Sequence, residues 1–468
     1  MLVSVALALP ADAGGATLSV RSDPPLLPRF DRGIRDYVDR CRTGGRVRLR
    51  VASPPGTTVA VDGLRPRSGA FRTRRRLDPG QQLRFSVRTR GGARTYHVRC
   101  LPPDFPTWTF RRSGRPFAAF YILTPSPWVA IWDSHGVPVW WMRAGIPVAQ
   151  DAKLLRDGTI GWFTAPNSYL GPADFEIHRF DGSLVTTVGT RSGLLDSHDI
   201  QRLRGGDYLL IAYRQRPQKV DMSWCGGPSD ATVFDEEIQR VRPGRRAPVW
   251  TWSSRDHIAL SETARWCGVS RYLALPDGTM AYDLVHINSV QLVGHSLIAS
   301  MRHTDSVYRI GYPSGRIVWK LGGTRTARSL RIVGDRFGST DFGGQHTARQ
   351  LDDGSVTLHD NGIMRGRPPR AVRYRIDEKA RKATLVEEIS HPAAASSFCC
   401  GSAEKLADAG WLVSWGGTPA VTEFGPSGAR RFSLHFARGQ YSYRVFPIPR
   451  GRVSRHALRG GMDAMNPR

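Results

Sequence analysis

The sequence predicts an all-β protein, a six-bladed β-propeller preceded by a small N-terminal β-sandwich. Three observations point there. The 468 residues include 49 glycines and 32 prolines, so turns are frequent and strands short. From Trp108 onward one local pattern recurs: a turn glycine, a short apolar strand, and a later strand ending near a tryptophan. Finally, three of the 13 histidines stand at the same distance before successive turn glycines.

The first 15 residues are apolar and end in a small-residue pattern, Ala11-Asp12-Ala13, like the tail of a secretory signal. Residues 16–102 read as the sandwich. Val47 to Val51 and Leu83 to Val87 alternate apolar and polar or basic residues. Turn signals at Pro54-Pro55-Gly56, Asp62-Gly63 and Asp78-Pro79-Gly80 separate the runs. A proline-rich linker near Leu101 to Pro106 leads into the propeller, expected over 103–450, and residues 451–468 read as a disordered tail.

Within the propeller the turn glycines are Gly158, Gly206, Gly294, Gly354 and Gly410, spaced by 48, 88, 60 and 56 residues. Each precedes a short apolar strand, such as Tyr208-Leu-Leu-Ile-Ala212 or Ser296-Leu-Ile-Ala-Ser300. The 88-residue gap leaves room for a further blade or a long inserted loop. Phe110 to Trp141 is expected to add the first unit, which brings the total to about six blades.

The formal charge of +27 comes mostly from arginine, 61 of 67 basic residues, spread along the whole chain. Neither a basic stripe nor a zinc-finger or ribonucleoprotein signature accompanies it, so no nucleic-acid partner is expected. The positive field favours small anionic substrates. No apolar run approaches the roughly 20 residues of a spanning helix. Six cysteines fit an exported protein, with Cys41–Cys100 and Cys225–Cys267 as the expected pairs. The adjacent Cys399 and Cys400 either close on each other or stay reduced.

Eight residues before the turn glycines stand Gln150, His198, His286, His346 and Ser402. Equivalent positions on successive inner strands ring the propeller axis, so His198, His286 and His346 are expected to converge. Asn288 follows two residues after His286, on the same strand face. Arg302 ends the next strand and offers a planar fork for an anionic group. Asp199 and Gln345 complete the polar set. Three imidazoles suit a metal, but a guanidinium beside them suits an anion better, so neither metal nor cofactor is expected. In such a pocket a neutral imidazole can attack an electrophilic sulfur or phosphorus.

The stretches Ser197-His198-Asp199-Ile200, His286-Ile-Asn288-Ser289-Val290, Ser300-Met-Arg302-His303, Gln345-His346-Thr347-Ala348 and Asp360-Asn361-Gly362 resemble those of bacterial arylsulfate sulfotransferases, in the same order. The resemblance covers roughly Trp108 to Pro449. It implies a six-bladed propeller working outside the cytoplasm, with an aryl sulfate and a phenol as small-molecule partners. It also implies sulfuryl transfer through a sulfated histidine, without phosphoadenylyl-sulfate. By motif, His346 is the nucleophile, and His198, His286, Asn288 and Arg302 bind the donor and its oxyanion. The chain departs from the best-studied members between Gly322 and Gly344, where their cysteine-closed insertion is missing. Its cysteines resemble an actinobacterial-type branch. Two other readings remain open on sequence grounds: a non-catalytic extracellular propeller that binds anionic ligands or a protein, and a quinone- or metal-dependent oxidoreductase.

Overall fold

A computed structural model describes residues 17–41, 44–144, 150–165, 173–275, 277–337, 342–391, 394–437 and 439–468. The signal-like segment 1–15 lies outside them. Two compact units emerge, Met1–Phe105 with Met465–Arg468, and Pro106–Ala464.

The first unit is a β-sandwich. One sheet joins Ser19–Asp23, Gly45–Ala52 and Ala70–Leu77, and the other joins Asp36–Asp39, Gly92–Cys100, Gln82–Thr89 and Thr58–Val61. Alternation decides which face is inside: Val47, Leu49 and Val51 are buried while Arg46, Arg48 and Arg50 between them are not. They pack against Leu83, Phe85 and Val98 of the facing sheet. A Cys41–Cys100 disulfide links the ends of this unit.

The second unit holds six sheets among the described residues, antiparallel but for one parallel pairing in each of two. Their inner strands are Ser442–Ile448, Gln150–Leu154, Leu194–Arg202, Ile287–Val293, His346–Gln350 and Ser402–Lys405, and each touches the next around a closed ring. This is a six-bladed β-propeller. Second strands such as Ser296–Met301 and Val356–Asp360 are buried along their whole length, because neighbouring blades cover both faces. That explains their unbroken apolar texture in the sequence. Ile298 and Val307 of blade four, for example, pack with Val356, Leu358 and Val372 of blade five.

The turn glycines lie between first and second strands as expected, with left-handed φ at Gly158, Gly206, Gly294 and Gly354. In blade six the left-handed residue is instead Ala409.

Two expectations need correction, and of the two alternatives for the 88-residue gap the inserted loop is the one observed. The unit read as Phe110 to Trp141 is split: Trp108–Arg112 pairs with Arg430–Phe436 at the outer edge of blade six. Blade one takes its inner strand from Ser442–Ile448, which pairs with Phe120–Pro125 and closes the ring. The 88-residue gap holds an insertion within blade three and not a further blade. Its hairpin, Arg271–Ala274 with Met280–Asp283, adds to that blade's sheet by a parallel pairing, Val233 opposite Tyr282. A Cys225–Cys267 disulfide ties the insertion.

The C-terminal segment expected to be disordered contains an α-helix, Arg455–Met465. Gly460 and Gly461 argue against a helix by propensity. Burial overrides them: Leu458 and Met462 are fully buried, and a Cβ at Gly461 would fall 2.1 Å from the Phe180 carbonyl oxygen. The glycine that weakens the helix locally is the one its packing requires.

Candidate active site

Five of the six inner strands carry a register shift, four of them near the predicted positions. The shifts fall at Gln150/Lys153, Leu195/Ile200, Ile287/Ser289, His346/Arg349 and Ser442/Val445. Bulges bend a strand and re-aim its side chains, and non-glycine residues with left-handed φ mark three of these sites, Asp151, His286 and Thr347. Blade six lacks a shift, and its Ser402 turns away, its hydroxyl donating to the Val445 carbonyl.

The result is a cavity of about 660 Å³ at one end of the channel, lined by His198, His286, His346, Arg302 and Gln150 among others. Ring centroids of His198 lie 4.5 Å from His286 and 6.2 Å from His346, and those of His286 and His346 are 6.4 Å apart. One ring nitrogen from each lies within 4.8 Å of the others. The predicted histidine cluster therefore forms.

Each imidazole is oriented through Nδ1, and the partners differ. His346 Nδ1 lies 2.9 Å from the Gly344 carbonyl oxygen and 3.2 Å from Asn361 Nδ2, whose two hydrogens go to the Gly344 and Cys400 carbonyls. A carbonyl only accepts, so Nδ1 carries the proton and Nε2 keeps its lone pair. Burial, then the charges of His198, Arg302 and His286, hold this imidazole well below its ordinary titration range. His346 is thus neutral. His198 Nδ1 is held at 2.8 and 2.9 Å by both carboxylate oxygens of Asp196. His286 Nδ1 lies 2.5 Å from Asp283, which also accepts from the Tyr272 hydroxyl. Burial foremost, then His198 and Arg302, push His286 down as well.

Arg302 is joined to this framework by its backbone, whose N–H donates to the His286 carbonyl at 2.9 Å. Its guanidinium stacks 4.4 Å over the Trp266 ring, and Nη1 meets His303 Nε2 at 2.8 Å. Nε is buried without a partner among the described residues. An oriented guanidinium on a side chain that lines the cavity suits an anion. The three imidazole nitrogens have the spacing to hold a divalent metal ion, but this fixed positive charge beside them opposes one.

Three expected participants do other work. Asn288 does not line the cavity: its amide donates to the Gln345 carbonyl at 2.8 Å and accepts from the Thr347 N–H at 3.2 Å. It clamps the strand carrying His346, because the bulge at Ile287/Ser289 redirects the face shared with His286. Asp199 faces away into a buried network with Lys153 and Arg349. Gln345 is buried and donates to backbone carbonyls. Sequence reasoning missed Asp196, Asp283, Tyr272 and Trp266. Asp196 stands two residues before His198, a spacing that places both on one strand face and was available as a signal.

A second group of histidines sets the acid limit of the fold. His359 is fully buried in blade five, and burial pushes it down to about 4. An unfolded chain, whose histidines titrate near 6.5, takes the proton first, so stability falls as pH drops from 6.5 towards 4. The loss from this one residue is roughly 3 kcal/mol at full effect. Thermal melts should show a lower Tm at pH 4.5 than at pH 7, with a shallower slope in His359→Gln. Equal pH slopes in the two proteins would contradict this.

Fold and site together define a six-bladed propeller whose axial pocket gathers three imidazoles and a guanidinium. A family model described as arylsulfotransferase (ASST) matches residues 172–437, and the chain belongs to that family. No curated protein matches the chain. Among solved structures it is similar to a protein of unknown function from Bacteroides caccae, at 10% identity and TM-score 0.44, over 71% of this chain and 99% of that one. It is also similar to a catalytically inactive virginiamycin B lyase from Staphylococcus aureus, at 11% identity and TM-score 0.34, over 72% and 89%. A third is an auxiliary nutrient binding protein from Bacteroides ovatus, at 10% identity and TM-score 0.33, over 91% and 90%. At these values the likenesses bear on neither the activity nor the site.

Proposed function

We propose that this protein transfers a sulfuryl group from an aryl sulfate to a phenol through a sulfated His346, and that it works outside the cytoplasm. The observation that carries the reading is the bond from His346 Nδ1–H to the Gly344 carbonyl, which leaves a neutral Nε2 among two other imidazoles and Arg302. In the first half-reaction Nε2 attacks sulfur, an N–S bond forms, and the S–O bond to the aryl group breaks. The departing aryl oxide takes a proton from His198 Nε2, which Asp196 supports through Nδ1. In the second half His198 takes a proton from the phenol, whose oxygen attacks sulfur while the N–S electron pair returns to His346. Arg302 offsets the charge on the sulfuryl oxygens in both transition states, with the neutral His286 ring packed beside His346.

All six cysteines are paired, the third bond joining Cys399 to Cys400. Such pairing supports residence in an oxidising compartment. No helix among the described residues is long and apolar enough to cross a membrane.

The test is direct. The protein is mixed with 4-nitrophenyl sulfate, quenched in alkali to preserve the labile N–S bond, digested and analysed by mass spectrometry. A sulfated peptide containing His346 is expected, and it disappears when phenol is added before the quench. Nitrophenol release without any such peptide would sink the covalent route. Stabilisation by aryl sulfates without release would favour a binding protein.

A further inference from the structure

Above its polar floor the cavity changes character. The side chains at its mouth are Val269, Tyr272, Met364 and Phe398, exposed by 49%, 40%, 51% and 61%. These are four of the eleven large apolar side chains exposed among the described residues, gathered around one opening. Scattered apolar residues on a surface are ordinary, whereas a cluster rimming a pocket marks a binding site.

The exposure of Phe398 is built in. Its ring stands edge-on to Tyr441 at 5.6 Å, and it lies so close to Gly417 that a Cβ there would come within 2.2 Å. Its carbonyl accepts from Arg302 Nη2 at 3.4 Å, which links the rim to the anion site. Beside it the Cys399–Cys400 disulfide adds a flat, apolar face. Another part of the wall, Val269 and Tyr272, comes from the blade-three insertion that Cys225–Cys267 ties down.

Size points the same way. At about 660 Å³ the cavity lies within the roughly 300–1,000 Å³ that encloses a whole drug-sized ligand, far more than one benzene ring fills. Aromatic groups such as Tyr272, Phe398 and Tyr441 favour planar ring systems, which stack or meet edge to face.

We infer that the substrates are fused multi-ring phenols and their sulfate esters. The ring system rests against Phe398, Val269 and Tyr272 while the sulfate or hydroxyl reaches down to His346 and Arg302. The identity of the group carried rests on the transfer reading above, and the apolar subsite is tested apart from it.

Calorimetric titration of the protein with phenyl sulfate and with 9-phenanthryl sulfate measures the subsite directly. It is repeated in His346→Ala, where no sulfuryl group can move to that residue. Phenanthryl sulfate should bind at least ~30-fold more tightly in both proteins. Phe398→Ser and Val269→Ser, both changes at exposed positions, should each shrink that ratio by threefold or more. Equal affinities for the two esters, or an unchanged ratio in both rim variants, would overturn the inference. Release of nitrophenol from 4-nitrophenyl sulfate is followed separately. Release without an affinity ratio removes the apolar subsite and leaves the transfer reading. A ratio without release does the reverse.

Discussion

The His346→Ala variant is expected to lose sulfuryl transfer, with kcat for nitrophenol release falling by roughly 10⁴-fold or more. The reason is local. Of the three cavity imidazoles, His346 alone is held through Nδ1 by a carbonyl and not by a carboxylate. It therefore presents an uncharged lone pair with no counter-ion to stabilise a proton on it. Loss of the side chain leaves the Asp196–His198 and Asp283–His286 pairs untouched. Added imidazole should restore part of the rate in the alanine variant by occupying the vacated space, and should not accelerate the parent. A variant retaining a tenth of the parental rate would remove His346 from the role of nucleophile.

Arg302→Gln should lower kcat by about 10²–10³-fold, the usual cost of losing one donor to a developing oxyanion. Its side chain lines the cavity beside the three imidazoles, where the proposed transition state places the sulfuryl oxygens. Arg302→Lys should recover only part of the loss, because an ammonium has neither the planar fork nor the face that stacks on Trp266. The loss should fall on kcat more than on KM. A rise in KM with kcat unchanged would mean that Arg302 binds donor and transition state equally.

The architecture was legible in the sequence to the extent that it depends on local spacing. A blade's first turn lies a set distance from the channel, so counting back from Gly206, Gly294 and Gly354 found His198, His286 and His346 without any structure. What orients them was legible only in part, through the two-residue spacing of Asp196 and His198. The bulges decide whether Asp196 or Asp199 faces His198, and whether Asn288 follows His286 into the cavity or turns to the neighbouring strand. Bulges leave little trace in residue type. Ring closure was hidden for another reason: Ser442–Ile448 pairs with a strand more than 300 residues earlier, and no local pattern announces such a partner. The C-terminal helix was missed because Gly460 and Gly461 weigh against it until the Phe180 carbonyl is seen beside Gly461.

That closing strand carries Arg444, fully buried, whose guanidinium donates to Asp151 at 2.7 Å, to the His198 carbonyl at 2.8 Å and to the Asn288 carbonyl. Translation delivers this strand after every other blade strand. The backbone beneath two of the pocket's histidine-bearing strands is therefore pinned only once this strand has been made. Nascent and prematurely terminated chains cannot assemble the reactive centre, whatever their other blades have folded into. The proposed reactive centre is in that sense completed by a strand from the far side of the ring, not by the strands that carry its histidines.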